Sequence, residues 1–188
     1  VPGQLRVACI GGESTGKTTL AVALAEGAKG ALVSEVLRAF VIEHGRPPMG
    51  HEQQGLLDEQ RFQEQQCAES NPEAVIVCDP ATLMIAIYSE LYFDDRSLYA
   101  IALEYARDYD ALLWCRPDIP WVPEPGQHDG PQFRARADEL LQRWVSAHGA
   151  EIPVIEITGT LGRIECAQTQ LKARLGSVWQ SSAIAPPT

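Results

Sequence analysis

Ten residues near the start of the chain, "GGESTGKTTL" (11–20), carry its sharpest chemical signal. Gly11, four residues, then Gly16, Lys17 and Thr18 satisfy the Walker A pattern G-x-x-x-x-G-K-[ST], whose residue types and spacing suit the cradling of a polyphosphate. The glycines let successive backbone N–H groups turn inward, and a helix starting near Gly16 adds the positive end of its dipole. Gly11, Gly12, Glu13, Ser14, Thr15, Gly16, Lys17, Thr18 and Thr19 are therefore the candidate contacts to the terminal phosphates of ATP. Lys17 is suited to reach the β- and γ-phosphates, and the Thr18 hydroxyl to ligate Mg2+. A glycine-rich turn without a ligand would not need Lys-Thr at its end. A second acid-bearing stretch, "AVIVCD" (74–79), is an apolar run that ends in Asp79. An acid there faces the metal beside a phosphate loop, where ligands collect at the carboxyl ends of parallel strands. The plainer reading of Asp79 is a helix N-cap at the start of "DPAT".

These residues need a scaffold, and the chain supplies one by alternation. Short apolar runs at 5–10, 31–34, 74–79, 111–115 and 153–157 are separated by segments with helical spacing at 16–28, 51–70, 81–93, 96–109, 133–148 and 161–175. That order predicts an α/β protein, a three-layer P-loop NTPase fold with a five-stranded parallel sheet of the nucleoside- and nucleotide-kinase type. "RPDIPWVPEPGQHDGP" (116–131) has five prolines and two glycines, which exclude a helix and predict an ordered loop. The expected organisation is a single P-loop kinase domain over 1–175 with a lid segment at about 116–136, and a disordered tail over 176–188.

Composition narrows the partners. A formal charge of −10 and a pI near 4.8 argue against a nucleic-acid-binding surface. No apolar run has membrane-spanning length, so no membrane partner is expected. Five cysteines without paired spacing form neither a metal pattern nor a disulfide framework, and Cys9, Cys78 and Cys115 read as buried apolar residues. A reducing compartment, the cytoplasm, is the expectation, with no secretory signal in "VPGQLRV". The sequence assigns no oligomeric state.

Many activities use a phosphate loop, and fold alone does not choose among them. A GTPase needs a base-reading N/TKxD, which does not occur here. Motor and remodelling ATPases are normally larger. A compact chain with one phosphate loop, an acid after the second strand and a proline-rich, arginine-flanked loop before a late helix fits a small-molecule kinase, whose acid accepts the acceptor hydroxyl's proton while the late loop excludes water.

Six stretches in order, "GGESTGKTTL", "SEVLR", "QQGLLDEQR", "CDPAT", "DIPWV" and "PVIEI", resemble the ribosylnicotinamide kinase domain of the NadR family of NAD-biosynthesis proteins, over about residues 5–175. The resemblance implies ATP-dependent phosphorylation of the ribose 5'-hydroxyl of nicotinamide riboside, with Mg2+ as cofactor and a small riboside as the partner molecule. It implies that Glu35 is the acid after the second strand, acting as general base or hydroxyl-orienting group. Arg38, one helical turn later, is then a cation near the transferring phosphate or the substrate. The plainer reading is a Glu-Arg pair on a solvated helix face, worth about 0.3 to 0.5 kcal/mol. Gln54, Gln60 and Arg61 match family positions, although a simple solvated helix also accounts for them.

The chain departs from the family in two places. "VCD" stands where the family often has "DTD", so base and metal duties could divide differently between Glu35 and Asp79. The family's lid reads W-x-x-D-G-x-R, whereas here Trp121 is followed by "VPEPGQHDG", with Glu124 near the acid position and Gln127 or His128 where an arginine is expected. Arg134 and Arg136 could supply that lid cation. Phe40, Tyr88, Tyr92 and Trp121 are candidate walls for a flat ring, and Arg163, after the last strand, could stack on adenine. Two rival readings are a nucleotide-dependent switch and a binding module that has lost transfer. The adenylyltransferase signature HxGH is missing from the sequence, so no adenylyl transfer is expected.

Overall fold

The computed structural model describes residues 4–122, 130–176 and 179. Among them the five apolar runs form β1 (Arg6–Ile10), β2 (Ala31–Val33), β3 (Ile76–Cys78), β4 (Ala111–Cys115) and β5 (Val154–Ile157), as the alternation predicts. They pair in parallel in the order β2-β3-β1-β4-β5. The connections are α1 (Lys17–Ala28), α2 (Val36–His44), a 3-10 turn (Gly50–Glu52), α3 (Gln53–Ser70), α4 (Leu83–Phe93), α5 (Tyr99–Ala106), α6 (Pro131–His148) and α7 (Arg163–Leu175).

The two-residue period of a strand sends alternate side chains to opposite faces, and here it builds two cores. On one face Val7, Cys9, Val77, Leu113, Cys115, Ile155 and Ile157 meet Leu20 and Leu24 of α1 and Leu171 of α7. On the other, Ala8, Ile10, Ile76, Cys78, Leu112 and Trp114 meet α3, α4 and α6 through Leu57, Met84 and Leu141. Helix α4 is buried at every position from Leu83 to Glu90, so it needs no polar face and forms the middle of its layer. Parallel strands buried on both faces require continuous apolar runs, which is why β3 and β4 lack exposed positions.

Three expectations change. The helical turn expected at Glu35–Arg38 extends into helix α2, Val36–His44, whose apolar pattern is weak because only its first residue is buried. Helix α6 begins at Pro131, two residues before the expected 133–148 and at the end of the stretch read as a loop; proline's fixed φ suits the first helical position, where a missing N–H costs nothing. Trp179, inside the expected disordered tail, is 2% exposed in the core under α1 and α7, where its large indole gains by leaving water.

The topology converges on one edge of the sheet. The phosphate loop leaves central β1, Asp79 follows neighbouring β3, and Glu35 lies just beyond β2 on the far side of β3. The Asp79 N–H donates to the Val33 carbonyl at 2.8 Å, and the Ala81 N–H to the Cys9 carbonyl at 3.0 Å, which holds the three strand ends together.

Candidate active site

The loop between β1 and α1 is shaped by two glycines. Gly11 has φ +145°, and a Cβ there would lie 2.6 Å from the Cys115 carbonyl oxygen, so no side chain fits. Gly16, at φ +79°, turns the chain into α1 in a conformation that L side chains rarely adopt. Inside the loop, the Thr15 hydroxyl and Lys17 Nζ both donate to the Gly12 carbonyl, at 2.8 and 2.7 Å. Other bonds grip it from outside. Arg163 Nη1 donates to the Thr15 carbonyl at 2.8 Å, Nη2 to the Arg116 carbonyl at 2.9 Å and to Asp118, and Nε to the Gly159 carbonyl at 2.6 Å. Arg134 Nη1 donates to the Ser14 and Ile119 carbonyls at 3.2 and 3.0 Å, and the Val122 N–H donates to Ser14 Oγ at 3.0 Å. The carbonyls of Gly12, Ser14 and Thr15 are thus satisfied by the protein itself, and the loop is held in one shape.

A cleft of about 600 Å³ opens in front of it. Glu13 through Thr19 form one wall, and Glu35, Leu37, Arg38, Val41, Ile42 and Tyr88 the other. Glu35 is the N-cap of α2, with extended φ −65° and ψ 117°, and one turn later Arg38 Nε lies 3.9 Å from Glu35 Oε2. The pair of the plainer reading exists, yet it lines the cleft opposite the phosphate loop. With the Arg38 side chain 55% exposed, the pair adds at most about 0.5 kcal/mol to stability.

Asp79 is buried, and among the described residues its Oδ1 has no hydrogen-bond partner. The capping alternative fails on register, because α4 starts at Leu83 with Thr82 in the cap position. The Cys9 thiol, pushed up by its hydrogen bond to Cys115 and by burial, is pushed up further by Asp79 and down by Lys17, so acid and ammonium both act on one point beneath the loop. A buried carboxylate oxygen without a partner costs several kcal/mol unless a cation meets it. The Asp79 oxygen and the Thr18 hydroxyl fit a hard divalent cation such as Mg2+.

The remaining candidates separate. Of the two possible lid cations, Arg134 lies on the phosphate loop, while Arg136 pairs with Glu139 on an exposed helix face. Glu124, Gln127 and His128 lie outside the described residues. The edge of the Arg163 guanidinium is committed to carbonyls and Asp118, so adenine stacking would have to use its face. Tyr88 lines the cleft, and Tyr92 flanks it, tilted to Tyr88 at 6.0 Å and stacked on Phe133 at 5.7 Å. Phe40 is instead stacked on His44 at 4.0 Å, under Arg46. Trp121 is half-buried at the root of the proline-rich segment, next to Val122, which meets Ser14.

The solvated-helix reading holds for Gln54, exposed and bonded to Asp58, but fails for its neighbours. Gln60 is 1% exposed, and the Arg61 side chain 11%, spanning Glu64 and Asp108 with Tyr105 against its guanidinium. Periodicity could have found Gln60, since it falls with Leu56, Leu57 and Glu64 on one face of α3. The wall formed by Leu37, Val41 and Ile42 was legible only as a short apolar stripe in "VLRAFVIEH", and Asp118 as an acid in "DIPWV" without an assigned role.

A family model described as AAA domain matches residues 6–163. The chain belongs to this AAA-domain family. No curated protein sequence matches this AAA-domain protein significantly. Among solved structures it is similar to a NadR protein in complex with NR, at a TM-score of 0.79 and 19% identity, covering 97% of this chain and 53% of that one. It is also similar to thymidylate kinase from Ehrlichia chaffeensis (TM-score 0.62, 16% identity, 92% and 98% covered). A third likeness is to deoxyadenosine kinase from M. mycoides with bound dATP (TM-score 0.60, 13% identity, 90% and 100% covered). These likenesses establish the P-loop kinase fold, and the chain spans about half the length of the NadR chain.

Proposed function

We propose that this AAA-domain protein is an ATP-dependent phosphotransferase acting on a hydroxyl of a small nucleoside-like molecule, and that its acceptor is nicotinamide riboside, phosphorylated at the ribose 5'-oxygen to nicotinamide mononucleotide. One observation carries the reading: Glu35 and Arg38 line one wall of a cleft whose other wall is the phosphate loop. The kinase fold of the structural neighbours supports transfer, and the NadR likeness supports the riboside.

The loop holds the triphosphate, with Lys17 drawing charge from the β- and γ-phosphates. Glu35 accepts the acceptor hydroxyl's proton as that oxygen attacks the γ-phosphorus and the bond to the β-bridging oxygen breaks, leaving ADP. Arg38 neutralises charge on the transferring group from the acceptor side. Leu37, Val41, Ile42 and Tyr88 give the acceptor an apolar wall and help to exclude water, which would otherwise compete as the nucleophile. Thr18 and Asp79 would hold Mg2+, which when bound supplies charge neutralisation at the phosphate oxygens. Arg134 ties the first turn of α6 to the loop and to Ile119, and so helps to keep the loop in its phosphate-holding shape.

The test is direct. Purified protein incubated with Mg-ATP and a panel of nicotinamide riboside, adenosine, thymidine and deoxyadenosine should yield a singly phosphorylated nicotinamide riboside by mass. Glu35→Gln should bind ATP within about twofold of wild type while kcat falls about 10²- to 10⁴-fold. ATP binding with every riboside left unchanged would instead favour a nucleotide-dependent switch.

A further inference from the structure

Helix α3 packs against α2, α4, β2 and β3, behind the corners that present Glu35 and Asp79. It is largely polar, and most of its side chains face water, yet Gln60 is 1% exposed and Glu64 is fully buried. Leaving a buried amide without partners costs about 1–3 kcal/mol per polar atom, so the bonds of Gln60 matter to where it sits. Gln60 Oε1 accepts the Val36 N–H at 3.0 Å, and Nε2 donates to the Pro80 carbonyl at 3.5 Å. Val36 supplies the first helical N–H of α2, one of the four that a helix cannot satisfy itself. Val36 directly follows Glu35, and Pro80 directly follows Asp79. One side chain therefore grips the residue after each acid.

Glu64, one turn along, holds the same frame from the other end. It accepts the Tyr109 hydroxyl at 2.8 and 2.9 Å, and Tyr109 Oη in turn accepts the Thr82 N–H at 3.3 Å, three residues beyond Asp79. Arg6 and Arg61 balance its charge at 3.9 and 3.7 Å. The Asp79 turn is thus pinned at Pro80 and at Thr82, and the Glu35 turn at Val36, by side chains that reach neither the cleft nor the phosphate loop.

We propose that Gln60 is a positioning residue for phosphoryl transfer, which sets the separation between Glu35 and Asp79 by bridging Val36 N–H and the Pro80 carbonyl. This rests on the roles given to Glu35 and Asp79 above. Gln60 acts through the two corners and touches no reactant. Because Gln60 makes no bond to the phosphate loop, its loss moves the base and the metal-side acid relative to each other without removing a nucleotide contact. A misplacement of about 1 Å at a reacting group costs on the order of 10²-fold in rate.

Gln60→Met keeps the side chain's length and removes both bonds. It should lower kcat about 10- to 100-fold while ATP affinity and acceptor KM stay within about threefold. Gln60→Glu retains an oxygen for Val36 N–H but loses the donor to the Pro80 carbonyl and places a second carboxyl beside Glu64, so it should not restore kcat. Val36→Pro removes the N–H from the other side; proline suits the first helical position, and Glu35 already has the extended backbone that a residue before proline requires. It should reproduce the kcat defect, and adding Gln60→Met should worsen it no further. Amide exchange gives a readout independent of transfer, with Val36 protection falling about tenfold in Gln60→Met and phosphate-loop protection unchanged. A folded Gln60→Met with wild-type kcat, multiplying rather than saturating effects in the double variant, or unchanged Val36 exchange would overturn the bridge while leaving the kinase reading intact. A wild-type protein that transfers no phosphate overturns both. If Gln60→Met does not fold, Val36→Pro decides alone, by a kcat defect set against unchanged ATP affinity and acceptor KM and by unchanged amide protection in the phosphate loop.

Discussion

The two walls of the cleft are built differently. On the phosphate-loop side nearly every constraint is a hydrogen bond to backbone: Arg163 and Arg134 hold the carbonyls of Thr15 and Ser14, Thr15 and Lys17 hold that of Gly12, and Gly11 lies against the Cys115 carbonyl with no room for a Cβ. On the opposite wall the groups facing the cleft are side chains on the first turns of a short helix, with Glu35 and Arg38 at 3.9 Å and Ile42 79% exposed. Backbone recognition suits a ligand part common to every turnover, and side-chain recognition suits a part that differs between relatives. The contrast is between a loop wall held in one shape and an α2 wall of exposed side chains; under the proposed function the first would hold the phosphates and the second would set selectivity.

Breaking the loop wall should have the largest effect. Lys17→Ala should weaken ATP binding about 10- to 100-fold, the worth of a charged hydrogen bond, and remove detectable transfer; titration with a fluorescent ATP analogue and a coupled ADP assay would check this. Retained turnover would mean that the wall is not the donor site. Arg163→Gln tests whether the loop's shape is imposed from outside. ATP affinity should fall about tenfold with acceptor KM unchanged, and Arg163→Lys should not rescue it, because an ammonium lacks the planar fork that reaches several carbonyls together. Equal damage to ATP and acceptor binding would erase the difference between the walls.

The smallest expected effect is on pH, behind the acceptor wall. Burial raises the Glu64 carboxyl to about 7, against the lowering influence of the Tyr109 hydroxyl, Arg6, Arg61 and Gln60. Cys78 and Tyr109 beside it are themselves pushed up by burial and stay protonated through neutral pH. The folded protein therefore binds the Glu64 proton more tightly than the unfolded chain. Its contribution to stability is complete below about pH 4.5 and is lost as pH rises through about 7, on the order of 3 kcal/mol in all. In calorimetry between pH 5 and 8, Glu64→Gln should show a smaller fall in Tm than wild type, by about 5–10 °C. Parallel curves would mean that Glu64 does not titrate in this range.

Much of the scaffold was legible because it follows from local patterns. The five apolar runs became the five strands, since parallel strands buried on both faces have no polar positions to disguise them. The phosphate loop was legible because backbone geometry of this kind constrains residue types directly, as Gly11 and Gly16 show. Helix α2 was harder to read: it is nine residues long and buries only Val36, so its amphipathic signal is weak. The difference between Gln54 and Gln60 was illegible in composition, since one faces Asp58 at the surface and the other lies under the Val36 and Pro80 backbone. Arg134 and Arg136 were likewise equivalent as letters, and the helical turn that starts at Pro131 separates them, sending one to Ser14 and the other to Glu139.

By itself the sequence determined the sheet, the phosphate loop and the pairing of Lys17 with Thr18, because strand burial and phosphate cradling are enforced by residues adjacent in the chain. Only the tertiary structure decided that Glu35 faces the loop across a cleft, that Asp79 is buried with an oxygen no described residue satisfies, and that Gln60 reaches behind both. Those relations join residues 16 to 24 positions apart, and the order of strands in the sheet, which local propensity does not encode, brings them together.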